Sequence, residues 1–468
     1  MLRSGSAPAW LLLAGVTVTV PLRAQERPPY LRHHEAERPD YAAEITAMRE
    51  SIPLPPPPLE WASLADHPSA PPDYVVELLP ALANPPLDLP PPPVGQPPAV
   101  VRGVYLNGWV FSSSRLADLL RLADSTEINT FVIDVKDDTG YLTYRSSVPT
   151  AVEVGANDRI RTSDTRQRLA ELQARGIHPV ARIVVAKDPL LARGKPDWAI
   201  HDLRGGLWRD RQGSAWVDAY RDSVWIYAAD LAKEAVVLGF AEIQFDYLRF
   251  PDEPRWLLDR AVYPGRRASE SQRAAVRRNV ALMRERTSEL GVPFTLDLFG
   301  LTTSADGDLG IGQSWEDLAP LADVVLPMVY PSHYRRGAYG IEHPNAAPYA
   351  TVRRALEDGL RKNARLTSAP KIRPYLQAFS IFRVRYTPDE IRAQIRATEE
   401  LGLTDWVLWN ARGVYPAAAL RPGRGGAGGP LGEHLHSRAM VSPSAAVRQS
   451  GRLGRRAPLT DADSGTDC

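Results

Sequence analysis

Three aspartates, Asp134, Asp246 and Asp297, each stand as the last inward-facing residue of an apolar run that reads as a β-strand. Along the stretch Glu242 to Asp246, alternation of faces places Glu242, Gln244 and Asp246 on one side and Ile243 and Phe245 on the other. Three polar groups on one face of a buried strand are costly unless they have partners or chemistry to perform. The carboxyl ends of parallel strands are where barrels and open α/β sheets place their reactive groups. A pair of carboxyl groups in different protonation states can split a glycosidic bond, one protonated to assist the leaving oxygen and one ionised as nucleophile, base or stabiliser. A third carboxylate, or Arg182 close by, separates their pKa values. Asp246, Asp297 and Asp134 are therefore the expected catalytic set. A strand-end Asp can equally cap the next helix or a turn, so three together are more specific than any one.

Other polar and aromatic side chains fall at the same strand ends or in the loops beyond them. Tyr105, Asn107, Trp109, Lys136, Arg182, Tyr247, Arg249, Tyr330, Gln377, Trp409 and Asn410 are the expected substrate-binding residues. Flat aromatic faces suit the apolar faces of sugar rings, which points to a polysaccharide groove. Other chemistries find less support. The chain has neither a Gly-x-Ser-x-Gly elbow nor a phosphate-binding loop. Its histidines, including His178, His201, His333 and His343, lack close ligand spacing, so neither a metal nor an organic cofactor is expected.

These residues must be held by an alternation of strands and helices that begins at Val100. Strands are expected at 101–107, 130–136, 180–186, 242–246, 294–297, 324–328, 372–377 and 406–410, with helices at 114–125, 164–176, 219–238, 269–290, 315–322, 348–363 and 388–401 between them. Asp137-Asp138-Thr139-Gly140 reads as a turn. Eight strands in about 310 residues have the rhythm of a (β/α)8 TIM barrel. A doubly wound open sheet should instead show a Gly-rich first turn, and Asn107-Gly108-Trp109 offers none.

The segments Val101–Leu106, Phe131–Gly140, Ala181–Val184, Glu242–Pro251, Leu326–Pro331 and Trp406–Ala411 together resemble the DUF4015-type glycoside hydrolases, a bacterial (β/α)8 group distantly similar to polygalactosaminidase-like and chitinase-like barrels. The resemblance covers about residues 100–418 and implies a secreted or envelope sugar hydrolase. Compared with chitinase-like strands, the chain has Gln244 in place of one Asp, and Leu248 or Arg249 where a Glu acid would stand. The acid must then come from another strand, Asp297 or Asp134. A carbohydrate-binding barrel without catalysis is the competing class, and a metal-dependent phosphodiesterase or deacetylase a third.

Composition bounds the rest. The 468 residues are 44% hydrophobic and 24% charged, ordinary for a globular chain able to bury a core. A net charge of +1 implies neither a nucleic acid nor an anionic membrane as partner, and a monomer is expected. The sole cysteine, Cys468, permits no intrachain disulfide. Residues 1–24 read as a secretory signal, with basic Arg3 and an apolar run from Ala9 to Val20; an uncleaved N-terminal anchor is the other reading. Residues 25–99 are polar and then Pro-rich, a stiff extended spacer or a strap along the domain. Residues 100–418 form the barrel domain and residues 419–468, rich in Gly and Arg, a disordered tail. A secreted, periplasmic or cell-envelope location follows.

Overall fold

The computed structural model of the chain describes residues 97–423. The expected signal, most of the Pro-rich segment and the expected tail beyond Gly423 lie outside the described residues. Eight parallel strand positions close into a barrel: β1 (Arg102–Leu106), β2 (Thr130–Lys136), β3 (His178–Val184), β4 (Glu242–Asp246), β5 (Phe294–Phe299), β6 (Val324–Met328), β7 in two pieces (Lys371–Ile372 and Tyr375–Gln377) and β8 (Trp406–Trp409). Neighbours in sequence are neighbours in space. β8 pairs with β1 through Arg102 opposite Trp406, and β6 meets the second piece of β7 at Met328 opposite Tyr375, which completes the ring. Pro374 lies between the two pieces of β7; having no N–H to give, it cannot continue the ladder.

Every residue of β2, β3 and β4 is buried, as expected for strands covered on both faces. The outer face packs under the helices in one continuous core, whereas Tyr105, Val132, Val180, Leu326, Tyr375 and Val407 form a separate apolar plug inside the barrel. Each helix follows its strand: α1 (Arg115–Ser125), α2 (Thr165–Ala174), α3 (Asp222–Leu238), α4 (Gln272–Thr287), α5 (Trp315–Leu318), α6 (Pro348–Asn363) and α7 (Pro388–Glu399). On α6, Thr351, Val352, Ala355, Leu356 and Gly359 are buried, the stripe that a 3.6-residue period turns toward the sheet. The start of α7 is set by a capping box: Asp389 N–H donates to Thr387 Oγ1, and Thr387 N–H donates to Glu390 Oε2 at 2.8 Å. The ordered chain runs past 418. Ala419 and Leu420 are buried, and Gly423 N–H donates to Ser125 O at 3.1 Å.

The amino-terminal end of the barrel is closed by charge. Glu242, fully buried, accepts from Arg373 Nη1 at 2.6 Å and stands 3.2 Å from His178 Nε2. Burial pushes its carboxyl upward, but Arg373 and His178 outweigh that effect and hold it at about 2.

Candidate active site

Asp134 on β2, Arg182 on β3 and Gln244 on β4 are brought level by the strand register, Asp134 opposite Arg182 and Arg182 opposite Gln244. Asp246 lies two residues further toward the carboxyl end of β4, opposite Val184. Arg182 is the hub. Its Nη1 donates to Asp134 Oδ1 at 2.5 Å and its Nη2 to Asp246 Oδ2 at 2.5 Å, while Nε stands 3.6 Å from Asp297 Oδ2. One guanidinium therefore faces three carboxyl groups from three strands, all nearly sealed: Asp134 is 2% exposed, Asp246 4% and Asp297 0%.

The three carboxyls are not equivalent. Asp134 has both oxygens engaged, since Tyr105 OH also donates to its Oδ2 at 2.5 Å. Burial pushes it up to about 6, against the opposing pull of Arg182 and Tyr105. Asp246 accepts from Arg182 and, through Oδ1, from the N–H of Tyr247 at 2.5 Å. Tyr247 holds that contact in a left-handed backbone conformation, φ 55°, which non-glycine residues adopt at a cost and which clusters at functional sites. Asp297 Oδ2 accepts one hydrogen bond, from the Gln244 Nε2–H at 2.9 Å, and among the described residues Oδ1 has no hydrogen-bond partner. Burial, and then the negative charge of Asp246, hold Asp297 well above the ordinary carboxylate range, and Arg182 offsets this only in part. The trio thus contains one carboxyl group pushed toward its protonated form, Asp297, with Oδ1 unengaged, beside two, Asp134 and Asp246, that receive hydrogen bonds on both oxygens.

Aromatic rings roof the cluster. Tyr105 and Trp409 stack with centroids 3.6 Å apart, Arg182 lies 5.0 Å from the Trp409 ring, and Tyr375 meets Trp409 edge-on at 5.6 Å. Tyr330 OH is buried without a hydrogen-bond partner among the described residues. Beside Asp246, Tyr247 and Arg249 form a second group with Trp216, Lys187 and Phe299.

Five of the expected substrate-binding residues are placed elsewhere. A β-bulge between Asp134 and Lys136 aligns Lys136 with Ile183, on the outer face of β3, instead of with the next inward position. Lys136 is consequently buried outside the barrel, 2.5 Å from Asp188 Oδ2 and over the ring of Tyr227. Asn107 caps the short helix Gly108–Ser112, accepting from Val110 N–H at 2.8 Å. Gln377 is fully buried, its side chain bonded to Ser332 N–H and Phe379 O. Asn410 donates to Ala378 O and Val414 O. Trp109 is exposed at the β1–α1 connection, its ring under the Arg161 guanidinium at 4.0 Å, apart from the carboxyl cluster. Two members of the cluster, Gln244 and Tyr375, had not been singled out as site residues. Each lies on the inner face of its strand, two residues before Asp246 or Gln377, and that alternation was the available signal. Among the described residues, no group of three or more His, Cys, Asp or Glu could hold a metal ion.

Residues 103–415 match the family model DUF4015, described as "Putative glycosyl hydrolase domain". The chain belongs to this family. The DUF4015 match spans every barrel strand from within β1 to β8 and all three aspartates. Among solved structures, the glycoside hydrolase domain of PgaB (BpsB) from Bordetella bronchiseptica is 14% identical, with 69% of this chain and 99% of that one covered and a TM-score of 0.50, a likeness of fold. A hypothetical protein from Ruminiclostridium thermocellum ATCC 27405 is 36% identical over 42% of this chain and 96% of its own, with a TM-score of 0.38. No curated protein matches. The expected (β/α)8 barrel and the glycosyl hydrolase family are thereby established for the DUF4015 domain.

Proposed function

We propose that this DUF4015 domain hydrolyses glycosidic bonds of an extracellular or envelope polysaccharide, with Asp246 as nucleophile or as base for a water and Asp297 as the general acid. The observation that carries this reading is the contrast between two neighbouring carboxyl groups: Asp297, pushed toward its protonated form and with Oδ1 unengaged, and Asp246, bonded through both oxygens to donors. A carboxyl group pushed toward its protonated form suits the acid role. Protonated Asp297 delivers its proton to the departing glycosidic oxygen, and Asp246 stabilises or attacks the anomeric carbon, or deprotonates the water that does. Asp134 and Tyr105 fix Arg182, which balances the charge of the cluster. The Tyr105–Trp409 stack supplies the flat surface for a sugar ring.

The location rests on the leader-like residues 1–24. The test is a polysaccharide panel with product sizing, run on the parent and on Asp246→Asn. The parent should release short oligosaccharides from at least one polymer, and the variant should turn over slower by about 1,000-fold or more. Glycan binding by a folded parent without turnover on any polymer would replace hydrolysis with a binding function.

A further inference from the structure

Arg249, two residues beyond Asp246, is a cation that the catalytic scheme leaves unused. It is 8% exposed and boxed by aromatic rings, its guanidinium carbon 4.6 Å from the Phe299 centroid, 4.7 Å from Tyr247 and 5.1 Å from Trp216. Among the described residues no carboxylate lies within ion-pair distance of it. The side chain's single hydrogen bond among the described residues runs from Nη1 to Phe250 O at 3.1 Å. A guanidinium taken out of water without an anion is expensive, and ring faces repay only part of that cost. Most of its fork of donors is unspent, beside the proposed reaction centre.

The surroundings extend the same charge. Lys187 Nζ, ion-paired with Asp138 Oδ2 at 3.2 Å, lies 5.8 Å from the ring of Tyr247, so two cations share one ring and, among the described residues, only Lys187 has a carboxylate partner. The Trp216 ring, which contacts Arg249, donates its Nε1–H to Asp210 Oδ2 at 2.9 Å. Asp210 in turn lines a groove of about 390 Å³ between the loops that follow β3 and β4. Arg204 and Arg209 line that groove with no carboxylate among the described residues within ion-pair distance, and Trp256, 62% exposed, stands at it. The Asp210 carboxylate is held by Trp216, Gln212 N–H and Ser214 N–H, and Asp202, which also lines the groove and feels the charge of Arg204, is ion-paired with Arg260, so neither carboxylate makes an ion pair with Arg204 or Arg209.

We propose that the polymer cleaved is an acidic polysaccharide: Arg249 receives an anionic substituent of the sugar next to Asp246, and the Arg204/Arg209 groove receives the charge of sugars further along. The substituent is a uronic-acid carboxylate or a sulfate ester, either of which fits a planar fork of donors. This rests on the hydrolase reading for the position of the sugar, but it is tested by binding and needs no turnover.

The experiment measures retardation of the full chain in native gels containing polygalacturonate, its carboxyl-reduced neutral counterpart, or a sulfated form of that neutral polymer. The parent should bind one anionic polymer at least about 10-fold more tightly than the neutral one, and the responding arm names the substituent. Arg249→Gln should abolish that preference while leaving neutral binding within about two-fold; Arg204→Gln with Arg209→Gln should reduce it about three-fold or more. Arg249→Lys, which keeps the charge and loses the fork, should retain an intermediate preference, and it serves if Arg249→Gln does not fold. A merely structural Arg249 would not move the ratio of anionic to neutral binding. Equal binding of neutral and anionic polymers by the parent, or a full preference in both Arg249 variants, overturns the proposal. Preference without turnover leaves this inference standing and removes the hydrolase reading; turnover without preference does the reverse.

Discussion

Arg182 faces three carboxyl groups, and removing its charge leaves them facing one another at the centre of the barrel. Arg182→Met should therefore cost about 3–5 kcal/mol of stability, measured by denaturant unfolding, because a broken buried ion pair leaves uncompensated charge. Arg182→Lys should recover only part of that, since one ammonium cannot reproduce a fork that spans Asp134 and Asp246. The raised pKa of Asp297 makes a pH prediction. A general acid works only while protonated, so activity should fall as pH rises through the raised pKa of Asp297, well above the ordinary carboxylate range. A descending limb near 6 that disappears in Asp134→Asn would assign the acid to Asp134, whose carboxyl burial holds at about 6. The convergence of Asp134, Asp246, Asp297 and Arg182 was legible in the sequence because strand alternation alone turns these positions inward. The fate of Asn107, Gln377 and Asn410 was not, since each is claimed by backbone groups of loops whose paths no periodicity encodes.

At the level of elements, the bulge in β2 decides which way its last residues face. It turns Lys136 out to Asp188, and a bulge leaves no mark in the hydrophobic pattern, which is why Lys136 read as a rim residue. Gly140, in the turn after β2, has φ 86°, and a Cβ there would stand 2.2 Å from Asp188 Oδ1. Gly140→Ala should thus destabilise by about 2 kcal/mol or more, beyond the ordinary cost of a non-glycine residue at positive φ, and the loss should be smaller in an Asp188→Ala background. The cluster at the amino-terminal end offers a pH test. Glu242 is held at about 2 in the folded chain against an ordinary value of 4.5, so its stabilisation is complete above 4.5 and is lost as pH falls toward 2. Glu242→Gln should lower Tm at neutral pH, and the gap between parent and variant should close on acidification through that window.

For the molecule as a whole, the barrel was readable because its strands, buried on both faces, appear as short apolar runs at regular spacing between amphipathic helices. The ends of the domain were less readable. Ala419 and Leu420 are small contributions within a Gly- and Arg-rich context, yet they are buried against the barrel, and Arg421 accepts from Glu127 N–H at 2.9 Å. A chain of residues 97–423 should unfold in one cooperative transition, whereas one ending at 418 should melt several degrees lower. The proposed catalysis joins these scales, because burial in the enclosed barrel is the first cause that raises the pKa of Asp297 beside Asp246. The most direct measurement is turnover by Asp297→Asn of two aryl glycosides of the responsive sugar, one with a good and one with a poor leaving group. Loss of a general acid should slow the poor leaving group by about 100- to 10,000-fold and leave the good one nearly unchanged. Equal loss on both, or no loss on either, would contradict Asp297 as the acid.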